Sequence, residues 1–405
     1  MTSNGASDYV IIRPAKSSEA QIYAAQELQK YVKQISGCDL EIRTDETPLP
    51  PRAILLGETR FTAQLLGGQP DMKKLVADGF RLCTKTPYIL IIGSRQRGTI
   101  YGVYELLEKY LGCRWYSSNF SIIPSKATIV IPAMDYVQVP AFAIREPFYY
   151  DVIMNPDFAV KMRANGHAMK LDAKHGGHIY YANKWLVHTF QQLVPAAKYY
   201  DTHPEYFMMK DGVRRKGQEL CLSNPDVLKI VIDRVKNILK NDPEAQFISI
   251  SQPDGASACE CSKCKALDER EGSPSASIIN FVNKVGEAIE REYPNVLVET
   301  LAYQYTRKPP KTLRPRKNVV PRLCSIECDF SQPLETGANA ENIKFRSDLD
   351  KWSKISSRLL IWDYVTCFHP YIMPFPNFNS LQKNLQYFKA HNVYGVLSMG
   401  DYNGP

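Results

Sequence analysis

Two acidic residues follow apolar, strand-like segments, at positions where barrel enzymes carry out chemistry. Asp254 comes just after the segment 246–251, and Glu327 lies within the segment 319–330. The active site of a parallel β/α barrel forms at the carboxyl ends of its strands. Two carboxylates across such a mouth can hydrolyse a glycosidic bond, because one protonates the leaving oxygen and the other stabilises, attacks or activates water at the anomeric carbon. We therefore predict that Asp254 and Glu327 are catalytic.

Five more residues near predicted strand ends or in loops over the mouth are candidates for binding a sugar. Arg145, His188 and Asp363 are predicted to hold hydroxyl groups, and Tyr303 and Trp362 to stack on sugar rings. The alternative for Trp362 is a core position at the end of its strand.

The orientation of Glu327 depends on strand alternation. Alternation places Glu327 on the face opposite Cys324, Ile326 and Cys328. If those three side chains pack against helices, Glu327 faces the mouth. The alternative for either carboxylate is a buried ion pair with Arg145.

Three cysteines lie close together in the segment CECSKC, at C-x-C-x2-C spacing. Cys259, Cys261 and Cys264 could share one tetrahedral metal, with Cys221 as a fourth ligand. A zinc ion, a disulfide and free thiols all remain open. Four thiolates leave no position for a substrate, so any zinc would be structural, and no cofactor is predicted for catalysis.

The first 135 residues are predicted to form a small α+β domain. A strand near 8–14 precedes a helix with a capping box at Ser18 and Gln21 and a glycine cap at Gly37. Three more strands and a helix over 98–112 complete a β-α-β-β-β-α order. The segment GSRQRGTI has phosphate-loop spacing but lacks the Lys-Ser/Thr pair, which excludes that type of nucleotide site.

From residue 140 onward, strands and helices alternate, which predicts a (β/α)8 barrel over 140–405. Eight segments fit strands, and the chain stops after the eighth, so the last helix is expected to be missing. The predicted strands cover 141–148, 167–173, 219–223, 246–251, 296–305, 319–330, 358–365 and 393–400.

Composition narrows the function class. The 405 residues contain no apolar run long enough to span a membrane, and the start of the chain has no secretory signal. Much of the net charge of +8 comes from a proline-broken loop over 307–322, which we interpret as solvated. We expect no nucleic-acid partner.

The motifs resemble two known groups. GSRQRGTIYGVYELLEKYLGCRWY resembles the end of the zincin-like α+β domain that precedes the barrel of α-glucuronidases and β-hexosaminidases. Segments such as SISQPDG, CECSKC, LAYQYTRKPP and IWDY resemble the bacterial domain-of-unknown-function family 4838, common among Bacteroidetes. The resemblance implies a glycoside-hydrolase-type barrel, a carbohydrate ligand and a periplasmic or extracellular location.

One motif departs from the hexosaminidase pattern. Where those enzymes carry an adjacent Asp-Glu pair, this chain has Asp254-Gly255. A substrate-assisted mechanism on an N-acetyl sugar would therefore need Glu327 or Asp363 as its acid. We predict a glycoside hydrolase acting on an oligo- or polysaccharide, and the alternative is a non-catalytic carbohydrate-binding protein on the same barrel.

Overall fold

The computed structural model describes residues 1–217, 219–255, 257–371 and 373–404. These residues form two compact units, one of 1–178 with 402–404 and one of 179–401. The predicted domain boundary between 135 and 140 stays a prediction. No described helix combines the length and the apolar character needed to cross a membrane.

The first unit is built on a six-stranded sheet in the order β2-β1-β3-β5-β4-β8. The strands of the unit are β1 (Val10–Arg13), β2 (Ile42–Thr44), β3 (Ala53–Leu56), β4 (Phe80–Lys85), β5 (Tyr88–Gly93), β6 (Arg114–Trp115), β7 (Ser121–Ile122), β8 (Asp135–Gln138) and β9 (Ile144–Phe148). Its helices are α1 (Glu19–Ser36), α2 (Thr62–Leu66), α3 (Met72–Leu75), α4 (Gly98–Glu105), α5 (Tyr150–Met154) and α6 (Pro156–Lys161). Strand alternation sends Ile11 and Ile54 to one core cluster and Ile12 and Leu55 to another, so apolar side chains cover both faces of the sheet.

Local sequence signals explain how α1 begins and ends. The Ser18 side chain accepts from the Gln21 backbone N–H and the Gln21 side chain accepts from the Ser18 N–H, which confirms the predicted capping box. Gly37 ends the helix with φ 78°, a left-handed conformation that glycine adopts without steric cost.

The second unit contains seven strands and seven α-helices among its described residues. The strands are β10 (Met209–Lys210), β11 (Val213–Arg214), β12 (Phe247–Ser249), β13 (Leu297–Ala302), β14 (Val319–Cys324), β15 (Leu360–Tyr364) and β16 (Gly395–Met399). The helices are α7 (Phe190–Leu193), α8 (Ala196–Tyr199), α9 (Pro225–Asn241), α10 (Ser262–Glu271), α11 (Ser275–Glu290), α12 (Ala340–Ile355) and α13 (Phe378–Ala390). Strands β12 to β16 pair in chain order, all parallel, and form a half-barrel.

The prediction of a closed eight-stranded barrel was wrong for two of its strands. Segment 167–173 forms turns, because the Ala168 N–H donates to the Glu146 carboxylate rather than to a neighbouring strand. Segment 219–223 makes a single antiparallel bridge, from Leu220 to Phe207, before a turn leads into α9. The other six predicted segments each contain a strand.

Candidate functional site

A cavity of about 260 Å³ lies at the carboxyl ends of β13 to β16, where barrel proteins place their sites. We call this cavity the Trp362 pocket. It is mostly apolar, and one carboxylate and one imidazole are among its lining side chains. The described residues that line it are His188, Asp254, Leu301, Tyr303, Cys324, Ile326, Trp362, Tyr364, Phe368 and Met399.

Asp254 is held at the pocket by a tyrosine. The Tyr303 hydroxyl donates to Asp254 Oδ1 at 2.9 Å, and Gln304 Nε2 donates to the same hydroxyl at 2.9 Å. Burial, together with the hydrogen bond to Asp254 and its charge, raises the pKa of Tyr303, so the phenol stays protonated and remains a donor. Asp254 itself is exposed, which leaves its second oxygen open to a ligand.

His188 is oriented by the chain that follows β12. Its Nδ1 lies 2.8 Å from the Gln252 carbonyl, and its backbone N–H donates to Ser251 Oγ at 2.8 Å. A carbonyl oxygen only accepts hydrogen bonds, so Nδ1 carries the proton and Nε2 is available to act on a ligand. His188 also has φ 58°, an uncommon conformation outside glycine.

Trp362 is half-buried and lines the pocket, so it is both packed and accessible. The Arg322 guanidinium lies 5.8 Å from the ring centroid of Trp362. Arg322 is in turn buried in a bidentate pair with Glu299, with Nε–Oε1 and Nη2–Oε2 distances of 2.8 Å. The Tyr364 ring lies 6.5 Å from that of Trp362 at an interplanar angle of 27°. These contacts fix the ring as a wall of the pocket.

Glu327 does not line the Trp362 pocket. Strand β14 ends at Cys324 and residues 326 and 327 form a turn, so the alternation of a strand does not extend to Glu327. As a result Cys324 and Ile326, not Glu327, line the Trp362 pocket.

Glu327 instead lines a second cavity of about 450 Å³, which we call the Arg307 cavity. Arg307 Nη1 lies 2.9 Å from the Glu327 carboxylate, and the same guanidinium binds Glu341 and Asp348 at 3.1 Å each. The charges of Asp254 and Glu327 both contribute to raising the pKa of Tyr303, after burial. Glu327 therefore lies within electrostatic range of the Trp362 pocket without lining it.

Asp363 does not line the Trp362 pocket either. It lies between Trp362 and Tyr364 on β15, so alternation turns it to the opposite face. Its Oδ1 accepts from Ser325 Oγ at 2.8 Å. Burial raises the pKa of Asp363 to about 6, although the hydrogen bond from Ser325 lowers it in part.

Arg145 lies in the first unit, where its guanidinium is engaged. Nη2 pairs with Asp78 at 2.5 Å, and Nε donates to the Arg163 carbonyl at 2.8 Å. The ion-pair partner of Arg145 is thus Asp78, and its predicted contact with sugar hydroxyls stays a prediction.

The sequence predictions missed several apolar members of the pocket. Met399 ends β16, so the strand-end rule applied to Asp254 could have found it. Phe368 follows β15 in a loop rich in proline and aromatic residues, and no spacing signal marks it.

The four predicted cysteine ligands come together in the second unit. One Sγ from each of Cys221, Cys259, Cys261 and Cys264 lies within 4.8 Å of the others, and all four residues are buried. Four sulfurs around one zinc at about 2.3 Å would be about 3.8 Å apart, which this spacing approaches. The cluster could therefore hold a structural metal.

The surroundings of the cluster suit thiolates. The Met209 N–H donates to Cys259 Sγ at 3.3 Å, and the Cys264 thiol contacts the Ser223 hydroxyl at 3.3 Å. Burial lowers the pKa of Arg214, but its hydrogen bond to Cys221 and the charges of the cluster raise it overall. All ten cysteines of the chain are free thiols, not members of a disulfide. Within the cluster, Cys221 Sγ and Cys261 Sγ are 3.6 Å apart.

The half-barrel with a pocket at its strand ends has the architecture of β/α-barrel proteins, which place their sites at that edge. Residues 115–404 match the family described as "Domain of unknown function (DUF4838)", and the chain belongs to that family. Residues 5–106 match the glycosyl hydrolase family 67 N-terminus.

Curated relatives match about a quarter of the chain. An α-glucuronidase A from Emericella nidulans is 30% identical over 105 residues, and an α-glucuronidase from Hypocrea jecorina is 29% identical over 107 residues. The aligned stretches are 25% and 26% of this chain but only 12% of each fungal protein.

Solved structures extend the likeness to the whole chain. A family GH115 4-O-methyl-α-glucuronidase with specificity for decorated arabinogalactans superposes with a TM-score of 0.54 at 13% identity. The alignment covers 98% of this chain and 55% of that one, and it shows a common fold alone. A Streptomyces plicatus N-acetyl-β-hexosaminidase reaches a TM-score of 0.48 at 12% identity, covering 98% of this chain and 82% of that one.

Proposed function

We propose that the protein binds a sugar residue of an oligosaccharide or polysaccharide in the Trp362 pocket. The observation that carries the proposal is the combination of aromatic walls with the exposed Asp254 carboxylate and the His188 imidazole. A sugar presents C–H groups on its ring faces and hydroxyls at its edges. Aromatic rings pack against the C–H groups, and a carboxylate oxygen and an imidazole nitrogen form hydrogen bonds with the hydroxyls.

Binding explains the positions of the acids better than two-carboxylate hydrolysis does. Glycoside hydrolysis uses a pair of carboxyl groups about 5 to 10 Å apart across one site. Among the described residues that line the Trp362 pocket, Asp254 is the one carboxylate. Glu327 is bound to Arg307 in the neighbouring cavity, and Asp363 is buried against Ser325.

A glycan array with the purified protein tests the proposal. We expect Trp362→Ala to weaken binding of the best glycan by at least about tenfold, because it removes the largest ring of the pocket. Phe378→Ala is the matched control, since Phe378 is an aromatic residue of the same unit, is 87% exposed and does not line the pocket. Equal binding by wild type and Trp362→Ala would contradict the proposal.

Hydrolysis is the second candidate function, and one observation favours it. The charges of Asp254 and Glu327 both help to raise the pKa of Tyr303 and of Tyr364, after burial, so both acids lie within electrostatic range of the same two tyrosines. If Asp254 and Glu327 are the catalytic pair, Asp254→Asn and Glu327→Gln will each abolish release of reducing sugar from a bound glycan. A wild-type protein that binds a glycan and releases no product from it supports the binding function instead.

We infer that the cysteine cluster holds one zinc ion in a structural role. Four buried sulfurs, the Met209 N–H and the Arg214 guanidinium suit a closed tetrathiolate site, which has no position for a substrate. Metal analysis of protein purified without added zinc should find about one equivalent per chain. Cys264→Ser should lower the zinc content and the melting temperature, whereas Cys83→Ser, a buried cysteine of the first unit, should leave the zinc content unchanged. Full zinc content in Cys264→Ser would contradict the inference.

A further inference from the structure

We propose that the Trp362 pocket takes a neutral or amino sugar and discriminates against uronic acids, and that Asp254 determines this preference. The inference rests on the proposed function, because it names the class of sugar bound at the same pocket.

The charges of the pocket lining carry the inference. Of the described residues that line it, Asp254 is the single acid, and none is a lysine or an arginine. The remaining polar groups are the Tyr303 and Tyr364 hydroxyls, the Cys324 thiol, the His188 imidazole and the Trp362 indole N–H, which donates to Met399 Sδ. Burial raises the pKa of Cys324, so that thiol stays neutral. The lining therefore provides one negative charge and no permanent positive charge.

The guanidinium groups of Arg322 and Arg307, which lie near the pocket, already form ion pairs with other acids. Arg322 lies beyond the Trp362 ring, where it is 1% exposed and forms two hydrogen bonds to Glu299. Arg307 binds Glu327, Glu341 and Asp348 at the Arg307 cavity. Neither group can reach a ligand carboxylate in the Trp362 pocket without losing these partners, and a buried acid left without its cation is costly.

A uronic acid would bring a second carboxylate into this setting. Its desolvation against aromatic walls costs free energy, and Asp254 repels it at short range. An amino sugar presents an ammonium group, which Asp254 attracts and the faces of Trp362 and Tyr364 also favour through cation–π interaction. A neutral sugar pays neither cost, because its hydroxyls donate to Asp254.

The test uses matched methyl glycosides of a hexose, its 2-amino-2-deoxy derivative and its uronic acid, in the configuration that the glycan array selects. We expect the uronic acid to bind wild type about tenfold more weakly than the neutral hexose, and the amino sugar to bind at least as well as the hexose. Asp254→Asn keeps an oxygen for the Tyr303 hydroxyl and removes the charge. In this variant the deficit of the uronic acid should shrink to about twofold, and any advantage of the amino sugar should disappear. Glu335→Gln removes an exposed acid of the same unit that lines neither cavity, and should leave the order unchanged.

Each outcome separates this inference from the proposed function. If wild type binds the uronic acid best and Trp362→Ala abolishes that binding, the pocket binds sugar but the inference is wrong. If the order in Asp254→Asn equals that in wild type, Asp254 does not set the preference and the inference is wrong. If the array and the glycosides show no binding dependent on Trp362, the proposed function fails and the inference fails with it.

Discussion

The Trp362 pocket and the Arg307 cavity are each lined by one of the two acids predicted to be catalytic, Asp254 and Glu327. The two acids differ in their exposure and in the partners that their carboxylates contact. Asp254 receives one hydrogen bond from Tyr303 and remains exposed between aromatic rings. Glu327 forms an ion pair with Arg307, whose guanidinium also pairs with Glu341 and Asp348. The difference shows that an acid near a strand end is available to bind a ligand when it forms no ion pair with a neighbouring cation.

The largest effect is expected from Asp363, the buried acid between two pocket aromatics. Its pKa is about 6 in the folded protein and about 3.9 in an unfolded chain, so the folded state binds the proton more tightly. The stability this contributes is fully present below about pH 4 and is lost as pH rises through 6. Relative to Asp363→Asn, wild type should lose about 3 kcal/mol of unfolding free energy between pH 3 and pH 7, measured by urea denaturation. A constant difference across this range would show that Asp363 does not titrate as described.

A smaller effect is expected from Arg307→Met, which removes the cation of the Arg307 cavity. The substitution leaves Glu327, Glu341 and Asp348 without their shared ion-pair partner. Of these three acids, only Asp348 is largely buried. We therefore expect a loss of about 2 kcal/mol in unfolding free energy, less than for a fully buried pair. Arg316→Met, in a more exposed pair with Glu290, should cost less than about 1 kcal/mol. Equal losses would remove the distinction between the two ion pairs.

Next comes Tyr303→Phe, which removes the shorter of the two hydrogen bonds that Asp254 Oδ1 accepts. The carboxylate then keeps only the 3.5 Å hydrogen bond from Gln304 Nε2 and is held less firmly, so binding of the best glycan should weaken about fivefold, or about 1 kcal/mol. Isothermal titration calorimetry measures the change. Tyr394→Phe removes a hydroxyl outside both cavities and should bind like wild type. A Tyr303→Phe protein with unchanged affinity would mean that Asp254 needs no anchoring.

The smallest effect is expected from Glu327→Gln on glycan binding. The side chain lines the Arg307 cavity, so affinity should stay within about twofold of wild type in the same titration. Loss of binding comparable to that of Asp254→Asn would place both acids at one ligand, and the two regions would then form a single site.

The sequence by itself determined the helix cap and the strands, and it also predicted several groups of residues that are far apart in the chain but close in the fold. The capping box at Ser18, the strands of the half-barrel and the family follow from patterns within short segments. The strand-end rule named Asp254, Tyr303 and Trp362, which line one pocket, because parallel strands bring their carboxyl ends to one edge. Cysteine spacing likewise anticipated the cluster around Cys261.

Tertiary structure alone decided where strands stop and which partners the charged groups find. An apolar run through Cys328 predicts a continuing strand, but the ladder between β14 and β15 ends at the pair Cys324 and Trp362. The turn that follows sends Glu327 to Arg307, a residue 20 positions away. Segment 219–223 reads as a strand, yet it makes one bridge and delivers Cys221 to three cysteines about 40 residues later. Periodicity reports only local burial, whereas strand length and ion-pair choice depend on hydrogen bonds and charges that distant segments supply.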